Sequence, residues 1–300
     1  MTQVARNRLI SQAATASVVV AAVLILAKLA AWWVSGSVSL LASLMDSMLD
    51  IGASLVNLLA VKVASEPADE NHPFGHGKAE QLAGLVQSAF IAGAALFLVF
   101  HAIGTLKAPV ALDNSDIALW VMGFSMTCTL GLVLFQGWVV RKTRSVAIAA
   151  DALHYRADLY SNMAIIVAIF LAQQGWLLAD GLFAIGIAGY MLFGAREIGW
   201  ESLQQLMDHS LPKGDVKRIE LRCLEVPGVL GVHDLKTRQS GGVIQIQLHL
   251  DLDGNQPLVQ AHDIGKQVKQ QLEALYQDQQ LEVLIHHDPI HPDWEDIHQP

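Results

Sequence analysis

Long runs of apolar and small residues dominate the first two thirds of the chain. We count six such runs, near residues 11–34, 38–61, 81–106, 116–140, 146–173 and 178–205. Each run has about the 20 residues that an α-helix needs, at ~1.5 Å per residue, to cross a hydrocarbon core roughly 30 Å thick. The pattern therefore predicts an α-helical membrane protein with six transmembrane helices.

The pattern changes to that of a small soluble domain after Met207. Shorter amphipathic stretches and alternating stretches follow one another, and Ser240-Gly-Gly between the first two strands is a hairpin signal. The predicted elements are a helix, two strands, a helix and a strand, over residues 213–225, 231–239, 243–252, 258–276 and 281–288. This αββαβ order predicts a ferredoxin-like, metallochaperone-like domain.

We therefore expect three parts: a six-helix transport domain over 1–207, a metal-binding domain over 208–290, and a disordered tail over 291–300 that contains His291 and His298.

The first apolar run is too long for a cleaved signal peptide and lacks a cleavage pattern, so we expect no signal peptide. Cys128 and Cys223 stand in different domains without a C-x-x-C motif, which predicts neither a disulfide nor a thiolate site.

Composition agrees with a membrane protein and adds an acidic domain. The chain is 53% hydrophobic and only 16% charged, whereas soluble domains carry about 25% charged residues. Residues 201–300 hold 8 Lys and Arg against 16 Asp and Glu, and 8 of the 12 His. A nucleic-acid partner would require a basic face, so this class of partner is excluded.

Positively charged residues in the short connections predict the orientation in the membrane. They fall on one side of the six spans, and the opposite loops carry almost none. These residues are Arg6, Arg8, Lys62, Lys78, Arg141, Lys142 and Arg144. The positive-inside rule then places both termini and the acidic domain in the cytoplasm.

Two of the apolar runs each contain a pair of ionisable residues. Asp46 and Asp50 stand four residues apart in the second run, and His154 and Asp158 do so in the fifth. A carboxylate at the centre of a span costs roughly 2.5–3.5 kcal/mol, so these groups need compensation. Each pair shares one helix face. Together they form a tetrahedral ligand set for a divalent cation such as Zn²⁺, or else they are partly protonated.

Two basic residues near these pairs have simpler interpretations. Lys28 is close enough to the outer end of its span to extend to the interface, and Arg156 is close enough to reach the inner headgroups.

The connection between the second and third runs is a candidate loop metal site. Asp69, His72 and His76 offer three ligands, with water or Glu70 as a fourth, and the intervening Pro and Gly residues allow a tight fold. A solvated polar loop without metal explains the same residues equally well.

The soluble domain is rich in histidines that fall on its predicted polar surfaces. The candidate ligands are His233, His249, His262, His286 and Asp288, enough for two zinc ions if a carboxylate bridges them. Each histidine alone is typical of a surface residue, and only the set favours a metal site.

Taken together, these motifs resemble the cation diffusion facilitators. The similarity runs from about Leu9 to Pro289 and includes Asp-x-x-x-Asp, His-x-x-x-Asp, the Asp69-to-Glu80 loop and the αββαβ domain. It implies a homodimeric exporter in a bacterial inner membrane that exchanges cytoplasmic Zn²⁺ for protons. It also implies that the loop residues form a site, that the cytoplasmic ligands form a binuclear site under the dimer interface, and that Lys78 and Asp208 form a charge pair between the domains.

Within that resemblance the metal stays open between Zn²⁺, Cd²⁺, Fe²⁺ and Mn²⁺. The mechanism we expect is alternating access, with protons as the counter-ion. An enzyme is not expected, because the chain contains no nucleophile motif, no H-E-x-x-H and no phosphate-binding loop. The alternative is a membrane-anchored zinc sensor, which would leave the Asp46 and Asp50 pair without a purpose.

Overall fold

The computed structural model describes residues 2–35, 38–107, 116–174, 176, 178–277 and 279–290. The chain divides into two compact units: Arg6–Leu203, and a second unit formed by Met1–Ala5 and the chain from Gln204 onward. The predicted tail over 291–300 lies outside the described residues.

Six long helices make up the first two thirds of the chain. They are α1 (Gln3–Ser35), α2 (Val38–Ala64), α3 (Lys78–Lys107), α4 (Asp116–Thr143), α5 (Val146–Gln173) and α6 (Ala179–Leu206). Their ends agree with the six apolar runs to within a few residues, except that α1 begins eight residues before the apolar run at residue 11. Residues 3–10, among which Gln3, Arg6, Asn7 and Arg8 are polar, extend this helix beyond its long apolar run.

Five of these helices are long and apolar enough to cross a membrane, among the residues that the structure describes. The exception is α5, which carries Asp151, Arg156 and Asp158 along its 28 residues. Its length of 28 residues matches that of α4 and α6.

Helix α5 packs against α2, α3 and α4. Its contacts include small buried side chains such as Ala147 and Ala157, which let helix backbones approach closely. Gly194 on α6 serves the same purpose, because a Cβ atom added there would lie 2.6 Å from a terminal methyl of Leu153. Leu153 directly precedes His154, so the packing fixes the backbone that carries a predicted ligand.

The second unit contains two helices and a three-stranded sheet. Its elements in chain order are α7 (Lys213–Leu224), β1 (Gly231–Ser240), β2 (Val243–Asp253), α8 (Leu258–Leu275) and β3 (Gln280–Ile290). The central strand β2 pairs antiparallel with β1 and parallel with β3. Gly241 and Gly242 form the predicted hairpin turn with φ values of 56° and 83°, as a two-residue type I′ turn requires.

The core of this unit lies between one face of the sheet and the two helices. Alternate residues of β2, from Ile244 to Leu252, are buried against apolar residues of α7 and α8 such as Ile219 and Leu272. Cys223 lies in this core, where burial and the nearby Glu220 carboxylate raise the pKa of its thiol to about 11. The opposite face of the sheet is therefore available for the polar residues that alternate with this core.

Candidate metal sites

Three of the four ligands predicted in the membrane helices lie together. The Nε2 atom of His154 on α5 is 2.9 Å from Oδ1 of Asp50 on α2 and 3.7 Å from Oδ2 of Asp158. Ligand atoms of the three side chains all lie within 4.8 Å of one another. This spacing brings two carboxylates and one imidazole to a single point between two helices.

Helix geometry explains this cluster. His154 and Asp158 are one turn apart on α5, and α5 packs directly on α2, so the pair faces Asp50. Asp46 is outside the group of three, and its side chain is exposed one turn away on α2. Its predicted role as the fourth ligand therefore stays a prediction.

A fully buried carboxyl group was not predicted from the sequence. Asp151, one turn before His154, is 0% exposed and accepts hydrogen bonds from Ser17 Oγ at 2.5 Å and from Gln136 Nε2 at 2.7 Å. These donors belong to α1 and α4, so Asp151 joins three helices at the level of the cluster. Its only signal in the sequence is an acidic residue in an apolar run, which does not identify its partners.

Lys28 and Arg156, which we expected to reach the membrane interfaces, make specific contacts with neighbouring helices. Lys28 does not extend to the outer interface as expected, because its ammonium donates to Ser47 Oγ at 2.6 Å and to the carbonyl of Ser43 at 3.1 Å, both on α2. The guanidinium of Arg156 lies over Gly137 of α4, where an added Cβ atom would be 3.3 Å from it.

The loop residues also form a group. Oδ1 of Asp69 is 3.3 Å from Nδ1 of His72, and Oδ2 is 3.5 Å from Nε2 of His76. The backbone N–H groups of His72 and Asn71 donate to Asp69 at 2.6 and 2.9 Å and hold the pKa of this carboxyl below its ordinary value. The loop thus presents an ionised carboxylate between two imidazoles. Glu70, the suggested fourth ligand, does not belong to this group of Asp69, His72 and His76.

The register of the sheet assembles the cytoplasmic cluster. His233 on β1 pairs with His249 on β2, which pairs with His286 on β3, so the three histidines form one row across the sheet. Asp288 lies two residues after His286 on the same face. It contacts all three histidines, with shortest nitrogen–oxygen distances of 3.2 Å to His233, 2.8 Å to His249 and 2.6 Å to His286.

Asp288 is the acidic centre of this cluster. Burial raises the pKa of its carboxyl, but the hydrogen bonds from His249 and His286 outweigh this effect, and the pKa lies below its ordinary value. Two further carboxylates that were not predicted stand beside it. Asp251 is 3.3 Å from His233, and Asp234 is 3.9 Å from His249. Asp234 has a φ of +48° at an irregularity in β1. The alternation of polar and apolar residues along a strand does not reveal such an irregularity.

Two predicted groupings are not assembled in the same way. His262 on α8 is not in the described cluster and lines a cavity of about 330 Å³ together with His287, Lys266 and Lys269. Asp208 accepts a hydrogen bond from Arg238 at 3.0 Å within the second unit. Its predicted pairing with Lys78, which belongs to the first unit, stays a prediction.

Comparison with known proteins agrees with these features. Residues 14–207 match the cation efflux transmembrane domain, and residues 211–290 match the cytoplasmic domain of cation efflux proteins. The chain is 49% identical over 283 residues to the cation-efflux pump FieF of Citrobacter koseri, and 48% identical to that of Salmonella newport. Each alignment covers 94% of this chain and 94% of the relative.

Among solved structures, the putative zinc transporter CzrB in its zinc form is 33% identical over 28% of this chain and 93% of its own, with a TM-score of 0.26. The two family models match consecutive parts of the chain, and the boundary between them falls within a few residues of the boundary between the two structural units. The chain therefore belongs to the cation efflux family of membrane proteins, which transport divalent metal ions and are not enzymes.

Proposed function

We propose that this chain is a proton-coupled antiporter that exports divalent metal, chiefly Zn²⁺ and with it Cd²⁺ or Fe²⁺, from the cytoplasm. The observation that carries the proposal is the approach of Asp50, His154 and Asp158 from two helices inside the apolar unit. The proposal treats α5 as a membrane span as well, which gives six spans in total. It also places both termini in the cytoplasm and the chain in a bacterial inner membrane. The domain boundary near residue 207 belongs to it too.

The transported ion would bind to these three side chains, with Asp46 as the fourth ligand. All four positions carry oxygen or nitrogen donors, and an imidazole among carboxylates favours Zn²⁺ over harder cations. A rotation of the Asp46 side chain toward Asp50, one turn away, would complete a tetrahedral site.

Protons compete with the metal for the same atoms. A carboxylate or imidazole must be deprotonated to bind a metal ion, so loading from the cytoplasm releases protons and protonation from the outer side displaces the metal. Return of the protonated site to the cytoplasmic side moves protons inward. In this cycle the inward proton gradient drives efflux by alternating access.

The other two clusters would bind metal without transporting it. Asp69, His72 and His76 form the loop site. The row of histidines with Asp288 forms the cytoplasmic site, where a bridging carboxylate suits two ions. We further propose that the second unit is a ferredoxin-like dimerisation domain that joins two copies of the chain. The proposed cytoplasmic metal site includes His262 as a ligand. A charge pair between Lys78 and Asp208 would link the two units.

Cellular zinc content distinguishes an exporter from the alternative, a membrane-anchored zinc sensor. The chain is expressed in a bacterium that lacks its own zinc exporters, beside Asp158→Asn and an empty vector. An exporter lowers total cell zinc and restores growth on zinc-rich medium, and Asp158→Asn at equal membrane abundance does neither. Zinc content equal to the empty vector, with zinc still bound by the purified protein, would favour the sensor.

A further inference from the structure

Lys28 places a positive charge inside the apolar unit, away from both ends of α1. The residue lies seven positions before the end of the helix at Ser35, or about 10 Å along its axis. A lysine at this depth ordinarily extends its side chain to the headgroups and keeps its ammonium hydrated. Here the ammonium instead contacts the neighbouring helix.

Two acceptors on α2 hold this ammonium. Lys28 Nζ donates to Ser47 Oγ at 2.6 Å and to the backbone carbonyl of Ser43 at 3.1 Å. Ser47 is only 2% exposed, so the contact is largely shielded. An ammonium has three donors, and two of them are directed to α2.

The position of Ser47 relates this charge to the ligand cluster. Ser47 directly follows Asp46 and precedes Asp50 by three residues, so the ammonium is bound to the helical turn that carries both carboxylates. Asp158 on α5 lies in the same group as Asp50. Charges at a given separation interact more strongly in a low-dielectric interior than in water, so this ammonium acts on the whole cluster without being a ligand.

We propose that Lys28 is a fixed counter-charge of the transport site that makes the site selective for divalent ions and speeds their release. The charges support this role: three carboxylates, one divalent cation and one ammonium sum to zero when the imidazole is neutral. A monovalent ion would leave the occupied site negative and a trivalent ion would leave it positive, both of which are costly in low dielectric. The inference rests on the proposed function, because it requires Asp46, Asp50 and Asp158 to surround one transported ion.

Removal of the charge should therefore tighten metal binding and slow transport. In Lys28→Gln the amide retains a donor for Ser47 but lacks the charge that repels the metal ion. We expect the zinc concentration for half-saturation to fall by about tenfold or more, with a lower maximal rate of release. Lys28→Arg keeps the charge and should remain close to wild type.

The experiment measures zinc binding and zinc flux for each purified protein in proteoliposomes. Lys62→Gln is the matched control, because it removes a lysine charge from an exposed position near the end of α2. Tighter binding with slower flux in Lys28→Gln alone supports the proposal. Unchanged or weaker binding in a folded Lys28→Gln overturns it. Absence of zinc flux in the wild type would instead refute the proposed function.

Ser47→Ala tests the same step if Lys28→Gln does not fold. This change leaves the lysine in place but removes its 2.6 Å hydrogen bond, which allows the ammonium to move away from the cluster. We expect a shift in the same direction as for Lys28→Gln, about threefold in half-saturating zinc. Zinc affinity equal to that of the wild type would overturn the proposal.

Discussion

His154 joins the acidic residues of two helices. Its Nε2 atom lies 2.9 Å from Asp50 on α2 and 3.7 Å from Asp158, its neighbour one turn along α5. It is the one nitrogen donor in a proposed set that otherwise consists of carboxylates. Because imidazole is a softer ligand than carboxylate, this residue is expected to set the preference for Zn²⁺.

Replacing His154 by Asp should weaken zinc transport and change the order of metals. We expect zinc transport to fall by at least about tenfold, since even changes outside the ligand shell cost that much, while transport of the harder Mn²⁺ ion loses less. Transport of each metal into proteoliposomes measures the effect. His101→Asp, at an exposed position of α3, is the matched control. Full zinc transport with unchanged metal preference would contradict the assigned role.

Asp288 gives the cytoplasmic cluster a specific pH dependence. Its pKa lies below the ordinary value in the folded protein, so its ionised form stabilises the fold. This contribution is fully present above the pKa of aspartate in the unfolded chain and is lost as the pH falls through the lower, folded pKa.

The substitution Asp288→Asn tests this dependence in the metal-free protein. We expect thermal unfolding of the chelator-treated full chain to occur at a lower temperature in the variant at pH 7. The difference from wild type should shrink as the pH falls into the acid range, because the wild-type carboxylate becomes protonated. A difference that stayed constant between pH 7 and pH 3 would show that the charge of Asp288 is not responsible.

The residue scale also shows what the sequence could and could not predict. Helical spacing predicted that His154 and Asp158 share a face, and strand alternation predicted the same for His286 and Asp288. The partners of Asp151 and the contact of Lys28 with Ser47 depend on which helices are neighbours, which spacing does not specify. Asp234 reaches the cluster through an irregular strand, which interrupts the alternation used for prediction.

At the scale of elements, α5 is held by neighbours on several sides. Asp151 bonds it to α1 and α4, its small residues pack on α2 and α3, and Leu153 packs against Gly194 of α6. The boundaries of all six helices could be predicted from hydrophobic runs to within a few residues, apart from the start of α1.

The close approach of α5 and α6 can be tested at Gly194. The change Gly194→Leu places a large side chain where even a Cβ atom would meet Leu153, so it should cost about 1–3 kcal/mol of stability and displace His154. Gly186→Leu on the same helix is the control, because nothing lies within 4 Å of its added Cβ atom. Thermal unfolding and zinc flux of both variants provide the measurement. Equal behaviour of the two would contradict this packing role.

At the scale of the whole molecule, the chain combines an apolar unit with an acidic, histidine-rich one. The second unit has its own core, which lies between the sheet and two helices. The register of its three strands assembles a candidate metal-binding cluster. We expect zinc bound there to neutralise carboxylates, draw two copies of the chain together and change the zinc dependence of transport.

Replacing His249 by Ala should separate regulation from transport. The imidazole of His249 stands in the middle of the row, so its loss removes zinc from the cytoplasmic cluster while Asp50, His154 and Asp158 stay intact. We expect several-fold more zinc to be needed for half-maximal flux, with the maximal rate retained. His209→Ala, at an exposed position outside the cluster, is the control. An unchanged zinc dependence would show that the cluster does not regulate transport.

The most direct test of the central claim is simultaneous measurement of zinc and proton flux. Proteoliposomes containing the wild-type chain or Asp50→Ala are loaded with a pH-sensitive dye, and zinc is added outside. The account predicts zinc uptake with proton movement in the opposite direction, both lost in Asp50→Ala. Zinc uptake without opposed proton flux, or equal fluxes in the two proteins, would contradict an antiporter built on Asp50, His154 and Asp158.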